Sequence, residues 1–444
     1  MEPMSRFFNM KTAVVDLSDG SLEVLPLSRD LIEEKMGGAA VNQLLHSRYA
    51  EAFPLVLGTG PLTGSLAPAS CLLVATFQSP DDKKLCHTPL LFRAGPELKF
   101  SGFDFVVIKG ACSRPGVLCI GDGTIQIRSA EGLRDLTVPK AEATLRRRDP
   151  AAHHFVVMTG PAADQGSPYS TVCMGLGGSL DKTGMARWMA SRNLKALVLN
   201  GNGGLPFGED HLVLRKRMID RLAFKKKQQG ARYVLKRMSP DGNGKILPSR
   251  FFAKHLACYG CPFPCTSHIA PGNSRRLGAE DHGFVLHDHV GFDRLSRRFG
   301  RDALPVMNAC VRLGLDPAAV AAFYPKNAKM DDPTQDLTSF LKGKEMDPQP
   351  GNGVLPGGIS KEHYRLFGGG LPPISVSGGE NEGAGWEKRV AAAMVIGICP
   401  VFLLLFPNLK IEEMLRFYSP GDANAAFSPV ALENTIESPL SKRQ

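Results

Sequence analysis

The chain has 444 residues, of which 43% are hydrophobic and 22% charged, and it carries a formal net charge of +10. This composition excludes wholesale disorder, and the length predicts two or three domains because one hydrophobic core stops growing well below it. The basic excess is small for the length, and its densest run, Lys225 to Lys227, is typical of the solvated face of a helix. We therefore expect no nucleic-acid binding.

The first half of the chain is rich in strand patterns. Two stretches, KTAVVDLSDGSLEVLPL and PGVLCIGDGTIQIRS, each place two β-rich runs around an Asp-Gly pair, which is a strong signal of a hairpin. Further strand-like runs are PLVLGTG, SCLLVATFQ, FDFVVIKG, HFVVMTG and LKALVLNG. Together these patterns predict one sheet-rich domain over residues 1–205.

After Pro206 the spacing of apolar residues becomes helical, as in FDRLSRRFGRDALPVMNACVRLGL. We predict a mainly helical half over residues 206–427, with a Gly- and Pro-rich connection over 347–385 and a polar tail over 428–444. The fold class predicted for the whole chain is α+β.

One apolar segment, VAAAMVIGICPVFLLLF at residues 390–406, has to be distinguished from a membrane span. It is short for a crossing and contains Gly397 and Pro400. We therefore predict no membrane span but a buried core segment with a break at Pro400. The N-terminus has an early acidic residue and lacks the continuous apolar core of a secretory signal, which favours a cytoplasmic protein.

Three cysteines in the stretch CYGCPFPC give the strongest chemical signal. Cys258, Cys261 and Cys265 put three soft ligands on one short loop, as a zinc ion or an iron–sulfur cluster would require. In a reducing compartment such a tight group indicates metal binding rather than disulfides.

The fourth ligand distinguishes the two metals. Zinc would take His268 or His255, which lie close in sequence. A [4Fe-4S] cluster would take a fourth cysteine, and Cys399 is the candidate because Pro400 follows it in an apolar segment. The residues alone leave the cluster, zinc and an unmetallated loop open.

Other candidate side chains carry weaker signals. His287 and His289 alternate around Asp288 as metal ligands can, but no third ligand is evident, so solvated or core histidines are the preferred interpretation. The remaining cysteines, such as Cys71 and Cys173, lie in apolar runs and are predicted to be small buried residues.

Several motifs in one collinear order resemble the tungsten-dependent aldehyde ferredoxin oxidoreductases. GGAAVNQLL, GTGPLTGSLAP, GPELKFSGFDFVVIKG and SRNLKALVLNG are similar to the family's N-terminal domain, and CYGCPFPC, LGLDP and IGICPVF to its second half. The resemblance implies one [4Fe-4S] cluster held by Cys258, Cys261, Cys265 and Cys399, with ferredoxin or another redox subunit as partner. It also implies a tungsten ion on two pterin dithiolenes that oxidises aldehydes to carboxylates.

The sequence departs from the family where the tungstopterin is held. The family's G-G-R-G is GGAA at residues 37–40, and its Asn-Ser-Gly-Gly loop is replaced by a stretch with LLF at 90–92. The R-G-G loop reads KTGMARWMAS, and the Asp residues of two D-x-x-G-L patterns are Val311 and Met394. Five changes in one direction predict an iron–sulfur redox protein whose tungstopterin site is degraded.

Two alternatives stay open beside that prediction. The chain could be an active tungsten oxidoreductase with substituted contacts, and Glu280, in the position of the family's G-P-E-Y-E acid, is then a candidate general base. It could instead be a zinc-stabilised scaffold, in which Cys399 takes no part. A homo-oligomer and a hetero-oligomer are both compatible with the sequence.

Overall fold

The structure, a computed structural model, describes residues 7–80, 83–148, 155–175, 177–178, 181, 183–223, 252–269, 283–325, 330–342, 382–406 and 409–417. Outside these residues lie the tail predicted over 428–444, the basic run at 225–227, and residues 347–381 of the connection predicted over 347–385. The last four residues of that connection, 382–385, are instead the start of a helix.

The described strands fall into two sheets. They are β1 (Lys11–Asp16), β2 (Leu22–Pro26), β3 (Leu55–Thr59), β4 (Leu73–Gln78), β5 (Leu85–Leu90), β6 (Phe105–Lys109), β7 (Gly116–Gly121), β8 (Thr124–Ser129), β9 (Phe155–Thr159), β10 (Val172–Met174), β11 (Gly177–Gly178), β12 (Leu194–Asn200), β13 (Phe252–Leu256), β14 (Thr266–Ile269) and β15 (Phe284–Leu286).

Helices pack against both sheets and dominate the later part of the described chain. They are α1 (Arg29–Lys35), α2 (Gly38–Arg48), α3 (Ala94–Phe100), α4 (Val138–Arg148), α5 (Pro161–Asp164), α6 (Met185–Ser191), α7 (Glu209–Ala223), α8 (His289–Phe299), α9 (Ala303–Leu313), α10 (Pro317–Phe323), α11 (Pro333–Lys342), α12 (Glu382–Ile396), α13 (Pro400–Leu405) and α14 (Ile411–Leu415). Two short 3₁₀ turns cover Ala50–Ala52 and Gly300–Asp302.

The first sheet has the strand order β2-β1-β6-β3-β4-β5. The hairpin predicted from KTAVVDLSDGSLEVLPL is confirmed, because β1 and β2 pair antiparallel from Lys11 opposite Pro26 to Val15 opposite Leu22. The inner strand β3 is buried along its whole length, as expected for a strand that is covered on both faces. Helix α2 contacts β3 and β4 and covers one of these faces.

The second sheet has the strand order β13-β14-β15-β11-β10-β9-β12-β7-β8. The second predicted hairpin, β7 with β8, is confirmed by antiparallel pairing from Gly116 opposite Ser129 to Gly121 opposite Thr124. At the other edge, β13, β14 and β15 come from the half of the chain for which helices were expected. A parallel bridge between Gly177 and Val285 joins them to the N-terminal strands, so the two halves share one sheet within an α+β architecture.

The apolar segment forms a buried helical corner, as predicted. Helix α12 ends at Ile396, and α13 begins at Pro400, where a ring that lacks an N–H is tolerated. The segment from Val390 to Phe406 is buried throughout. Among the residues that the structure describes, no helix combines the length and apolar character needed to cross a membrane.

The corner between α12 and α13 is fixed by a loop of the first sheet, the 60–72 loop (residues 60–72). The backbone N–H of Leu62 donates to the carbonyl of Ile396 at 2.9 Å, and that of Leu72 to the carbonyl of Gly397 at 3.4 Å. Gly397 has a φ of +86°, and a Cβ there would lie 2.1 Å from Thr63 Oγ1. The late helices are therefore docked onto the N-terminal sheet at close range.

Candidate metal centre

The CYGCPFPC stretch forms a compact loop, the cysteine loop (residues 258–265), between β13 and β14. The N–H of Cys261 donates to the carbonyl of Cys258 at 3.0 Å, and the N–H of Cys265 to that of Phe263 at 2.9 Å. Gly260 takes a φ of +65°, which a glycine adopts without steric cost. These turns bring the three thiols of one short segment together.

Cys399 reaches the same place from the helical corner. Its backbone N–H donates to the carbonyl of Ala69 at 2.9 Å, and the N–H of Ala69 donates to the carbonyl of Gly260 at 3.2 Å. The 60–72 loop therefore links the corner to the cysteine loop. A ring contact between Phe263 and Phe406, with centroids 5.4 Å apart, holds the two segments together on another side.

The four cysteines named from the sequence lie close enough to influence one another electrostatically. Burial raises the pKa of the Cys261 thiol, and Cys258 and Cys399 raise it further. The pKa of Cys265 is raised in the same way, by burial first and then by its three neighbours. Several thiolates would repel one another in this setting, and a metal cation removes that penalty because it deprotonates the thiols that coordinate it.

A fifth thiol, Cys71 of the 60–72 loop, completes the group. Cys258 and Cys399 raise its pKa well above the usual range, and burial adds to this rise. Cys71 is also the main reason that the pKa of Cys399 is lowered. From the sequence Cys71 was expected only to pack in the core, because nothing local distinguishes it from other cysteines in apolar runs.

The group of five thiols is buried on one side and partly exposed on the other. Cys71, Cys258 and Cys399 are 0%, 7% and 4% exposed, whereas Cys261 and Cys265 are only partly buried. The surroundings of the thiols therefore differ. The buried side has a low local dielectric, and the cysteine loop forms the side nearer to solvent.

Arginine and tyrosine side chains brace the cysteine loop. Arg215 of α7 donates to the carbonyl of Leu66 at 2.6 Å and to that of Gly260 at 3.2 Å. The Tyr259 hydroxyl donates to the carbonyl of Gly64 at 3.3 Å. The charge of Arg215 also contributes to lowering the pKa of Cys261, although burial outweighs it. This guanidinium therefore favours negative charge at the loop.

The two histidines considered as zinc ligands do not join the thiols. His255 is exposed and its Nδ1 lies 3.2 Å from Ser267 Oγ, while His268 lies on β14 and lines a cavity. Within the described part of the chain, no group of three or more His, Cys, Asp or Glu residues is compact enough to hold a single metal ion. The arrangement therefore gives no support to a Cys₃His zinc site.

His287 and His289 are buried core histidines, in line with the preferred interpretation. His289 Nε2 lies 2.8 Å from the carbonyl oxygen of Cys265, and the His287 ring lies 5.1 Å from that of Phe92. Burial lowers the pKa of His289, and it lowers that of His287 to about 4. Asp288 accepts from the N–H of Gly291 at 2.8 Å and caps α8. The sequence motif thus supports the cysteine loop from behind.

The positions that depart from the tungstopterin pattern are filled with packed apolar side chains. Their exposed fractions are Ala39 6%, Ala40 7%, Leu91 1%, Val311 3% and Met394 1%. Gly38 packs so tightly that a Cβ would lie 1.9 Å from the carbonyl oxygen of Met394. Glu280, the candidate general base, lies outside the described residues.

A cavity of about 640 Å³ lies beside the cysteine loop. Its walls include Phe92 and Ala257, the residue before Cys258, and its lining carries Arg93, Arg146 and Lys254. Arg93 pairs with Glu97, and Arg146 with Glu142. The cavity therefore reaches to within one residue of Cys258.

Comparisons with known proteins show which proteins the chain is similar to. Residues 12–201 match the family described as aldehyde ferredoxin oxidoreductase, N-terminal domain. The tungsten-containing aldehyde ferredoxin oxidoreductases of Pyrococcus furiosus and Thermococcus kodakarensis are each 23% identical to the chain over 373 residues, which covers 74% of this chain and 61% of theirs. The chain is therefore similar to aldehyde ferredoxin oxidoreductases, above all over residues 12–201, and it spans about three fifths of the length of these relatives.

A more distant relative and a solved structure extend the comparison. The aliphatic sulfonate oxidoreductase, WOR-like subunit, of P. furiosus is 24% identical over 222 residues, covering 45% of this chain and 35% of that protein. The active site complex BamBC of benzoyl coenzyme A reductase, in complex with 1,5-dienoyl-CoA, aligns with a TM-score of 0.63 at 16% identity. It covers 76% of this chain and 60% of that one, and this likeness concerns the fold alone.

Proposed function

We propose that the chain is an iron–sulfur redox protein that carries one [4Fe-4S] cluster on Cys258, Cys261, Cys265 and Cys399. The observation that carries the proposal is the convergence of these four thiols from two segments that are distant in sequence, the cysteine loop and the α12–α13 corner. Four cysteine thiolates are the usual ligand set of a cubane, which supplies one-electron oxidation and reduction when bound.

The surrounding residues fit such a group. The buried side, with Cys258 and Cys399 almost fully buried, excludes water. Arg215 and nearby backbone groups stabilise negative charge on the thiolates.

The outer edge of the cluster suggests how electrons would pass. Cys261 and Cys265 are partly buried, so a redox partner docked on the cysteine loop would approach the cluster from this side. We propose ferredoxin or another redox subunit as that partner. The relative named as a WOR-like subunit supports a role within an assembly of redox proteins.

The tungstopterin of the family does not fit the residues present. Val311 and Met394 replace two acids and lie in hydrophobic cores, and Gly38 is packed directly against the backbone of α12. We therefore propose electron transfer, or support of a partner's chemistry, in place of aldehyde oxidation by this chain.

Metal analysis of the full chain, purified without oxygen, tests the proposal. About four irons per chain with matching acid-labile sulfide, and neither tungsten nor molybdenum, is the expected result. Stoichiometric tungsten with pterin would overturn it in favour of an active tungsten oxidoreductase. Zinc alone would overturn it in favour of a scaffold.

A further inference from the structure

The cavity beside the cysteine loop has no part in the proposed electron transfer, yet it has the size and the lining of a ligand site. Its volume of about 640 Å³ lies within the range of pockets that enclose small organic molecules. Its apolar lining includes Phe92, Pro139, Phe155, Met174, Leu256 and Val285. Of the described positions at which the sequence departs from the tungstopterin pattern, Phe92 is the one that lines it. The cavity is therefore a different place from the packed positions at Val311 and Met394.

One side of helix α4 and one row of the second sheet line the cavity. The α4 residues on the lining are spaced three or four apart and so lie on one side of the helix: Pro139, Glu142, Ala143 and Arg146. In the sheet, Lys254 of β13 is opposite His268 of β14, which in turn is opposite Val285 of β15. Regular elements therefore hold the polar groups of the lining in place.

Two arginines on the lining are held by buried carboxylates. The Nε and Nη2 atoms of Arg93 lie 2.8 Å and 2.6 Å from Glu97 Oε1. Those of Arg146 lie 3.2 Å and 2.7 Å from Glu142 Oε1. The Glu97 and Glu142 side chains are only 4% and 7% exposed, whereas the two arginines are 63% and 49% exposed. Among the described contacts the Nη1 group of each guanidinium is uncommitted, so each arginine keeps N–H donors for a further acceptor.

Lys254 adds a cation that has no counter-charge. It is exposed, and within the described part of the chain it has no ion pair or side-chain hydrogen bond. The acid on the described lining is Glu142, which is already paired with Arg146. Two guanidiniums and one ammonium against this single carboxylate make the lining electropositive.

We propose that this cavity binds a small organic anion with an apolar body. Lys254 and the two arginines attract its acidic group, and the apolar lining buries the rest of the molecule. Because buried carboxylates already fix the guanidiniums, little side-chain freedom is lost when the anion binds. The site adjoins the cysteine loop, since the N–H of Tyr259 donates to the carbonyl of Phe92 at 2.8 Å. The inference needs the cavity alone, and it holds whether or not the chain carries iron.

A pair of fluorescent probes tests the proposal on the full chain. Anilinonaphthalene sulfonate is an apolar anion, and phenylnaphthylamine is its uncharged analogue. Lys254→Glu should weaken binding of the sulfonate by about tenfold at low salt, because one attraction is replaced by a repulsion, and should leave binding of the neutral probe unchanged. Lys254 is the residue to replace, since loss of Arg93 or Arg146 would leave a buried carboxylate unpaired. Lys216→Glu, at an exposed lysine of α7, is the matched control for the change of charge.

A second variant tests the place of binding. Ala143→Trp fills part of the cavity from the exposed side of α4 and should weaken both probes by a similar factor. Ala322→Trp, at an exposed alanine of α10, is its matched control and should leave both probes unaffected.

Four outcomes would overturn the inference. Failure of the unmodified chain to bind the sulfonate would mean that the cavity takes no such anion. Equal loss of both probes in Lys254→Glu would show a change of shape rather than of charge. Sulfonate affinity that falls equally in Lys254→Glu and Lys216→Glu would reflect net charge only, and unchanged binding in Ala143→Trp would place the probes elsewhere. Iron content is measured separately, so absence of the cluster would refute the proposed function and leave these results intact.

Discussion

Cys399 at the α12–α13 corner and Met394, which departs from the tungstopterin pattern, lie in one hydrophobic core but have different chemistry. Cys399 and Met394 are only five residues apart, and both belong to the core that α12 and α13 form with the 60–72 loop. At Cys399 the core contains a group of thiols, whereas at Met394 it is filled with a side chain in place of the family's acid. Under the proposed function, the comparison teaches that a redox centre keeps its ligands while the neighbouring site becomes ordinary core.

The largest expected effect is at the cluster. Cys399→Ser should remove or convert the cluster, because serine is a poor ligand for iron in this environment and the other three thiols sit on a separate segment. Iron and sulfide content after anaerobic purification measures this. Cys310→Ser, at another fully buried cysteine, controls for polarity in the core, and a full complement of iron in Cys399→Ser would refute the ligand assignment.

Restoring the family's acid tests the other region. Met394→Asp should destabilise the fold by about 3 kcal/mol or more, because it buries a carboxylate among apolar side chains. Burial raises the pKa of such an acid in the folded state, so the loss should shrink as the pH falls towards the value at which the folded state takes up a proton. Chemical denaturation at several pH values measures both effects.

Met394→Leu is the matched control for that variant, since it conserves volume and should cost less than about 1.5 kcal/mol. If Met394→Asp were as stable as Met394→Leu at neutral pH, the position would face a polar pocket, and the contrast between the two regions would fail.

A substitution at Gly397, between α12 and α13, tests how tightly the helical corner packs against the 60–72 loop, and we expect a smaller effect. Gly397→Ala should cost about 2 kcal/mol, because alanine is disfavoured at a φ of +86° and its Cβ would meet Thr63 Oγ1. Gly20→Ala, at a φ of +75° with no atom within 4 Å of a Cβ, isolates the backbone term. We expect about 1 kcal/mol there. If chemical denaturation showed equal losses of unfolding free energy in Gly397→Ala and Gly20→Ala, the corner would not be tightly packed.

The smallest expected effect concerns the histidine behind the cysteine loop. Burial lowers the pKa of His287 to about 4, against about 6.5 in the unfolded chain. The unfolded state therefore takes up the proton first, and stability present above pH 6.5 is lost as the pH falls towards 4. Between pH 7 and pH 5.5 this loss is about 1 kcal/mol.

His287→Gln should flatten the pH dependence of the unfolding free energy by that amount. His87→Gln is a matched comparison, because burial also lowers the pKa of His87 to about 4 at a position far in sequence from the cysteine loop. An unchanged slope in His287→Gln would show that His287 is not held neutral in the folded state.

Local signals accounted for much of the fold. The two hairpins followed from Asp-Gly turns, and the corner at Pro400 followed from a ring that cannot donate to a helix. The strands β13 to β15 were missed because they are short and their pairing depends on the distant strand β11, which is only Gly177–Gly178. Pairing between strands that are far apart in sequence leaves no periodic pattern in the sequence.

The candidate site, like the fold, was predictable only where local sequence patterns carry the information. Spacing and a following proline singled out the four cysteines that the fold brings together. The position of Cys71 beside the other thiols depends on residues far apart in sequence, and so does the contact of His289 with the Cys265 carbonyl. A local motif does not encode such contacts. The loss of acids at Val311 and Met394 was readable, but their burial in cores required the structure.

The anchoring of the corner by the 60–72 loop has a consequence for biosynthesis. The N–H groups of Leu62 and Leu72 find their partners only when Ile396 and Gly397 have been made. At roughly 5–20 residues per second, a ribosome needs tens of seconds to cover that interval. The nascent N-terminal half therefore leaves the ribosome with the hydrogen bonds of this loop incomplete. In the proposed iron–sulfur protein, the cluster could be enclosed only after translation has passed Cys399.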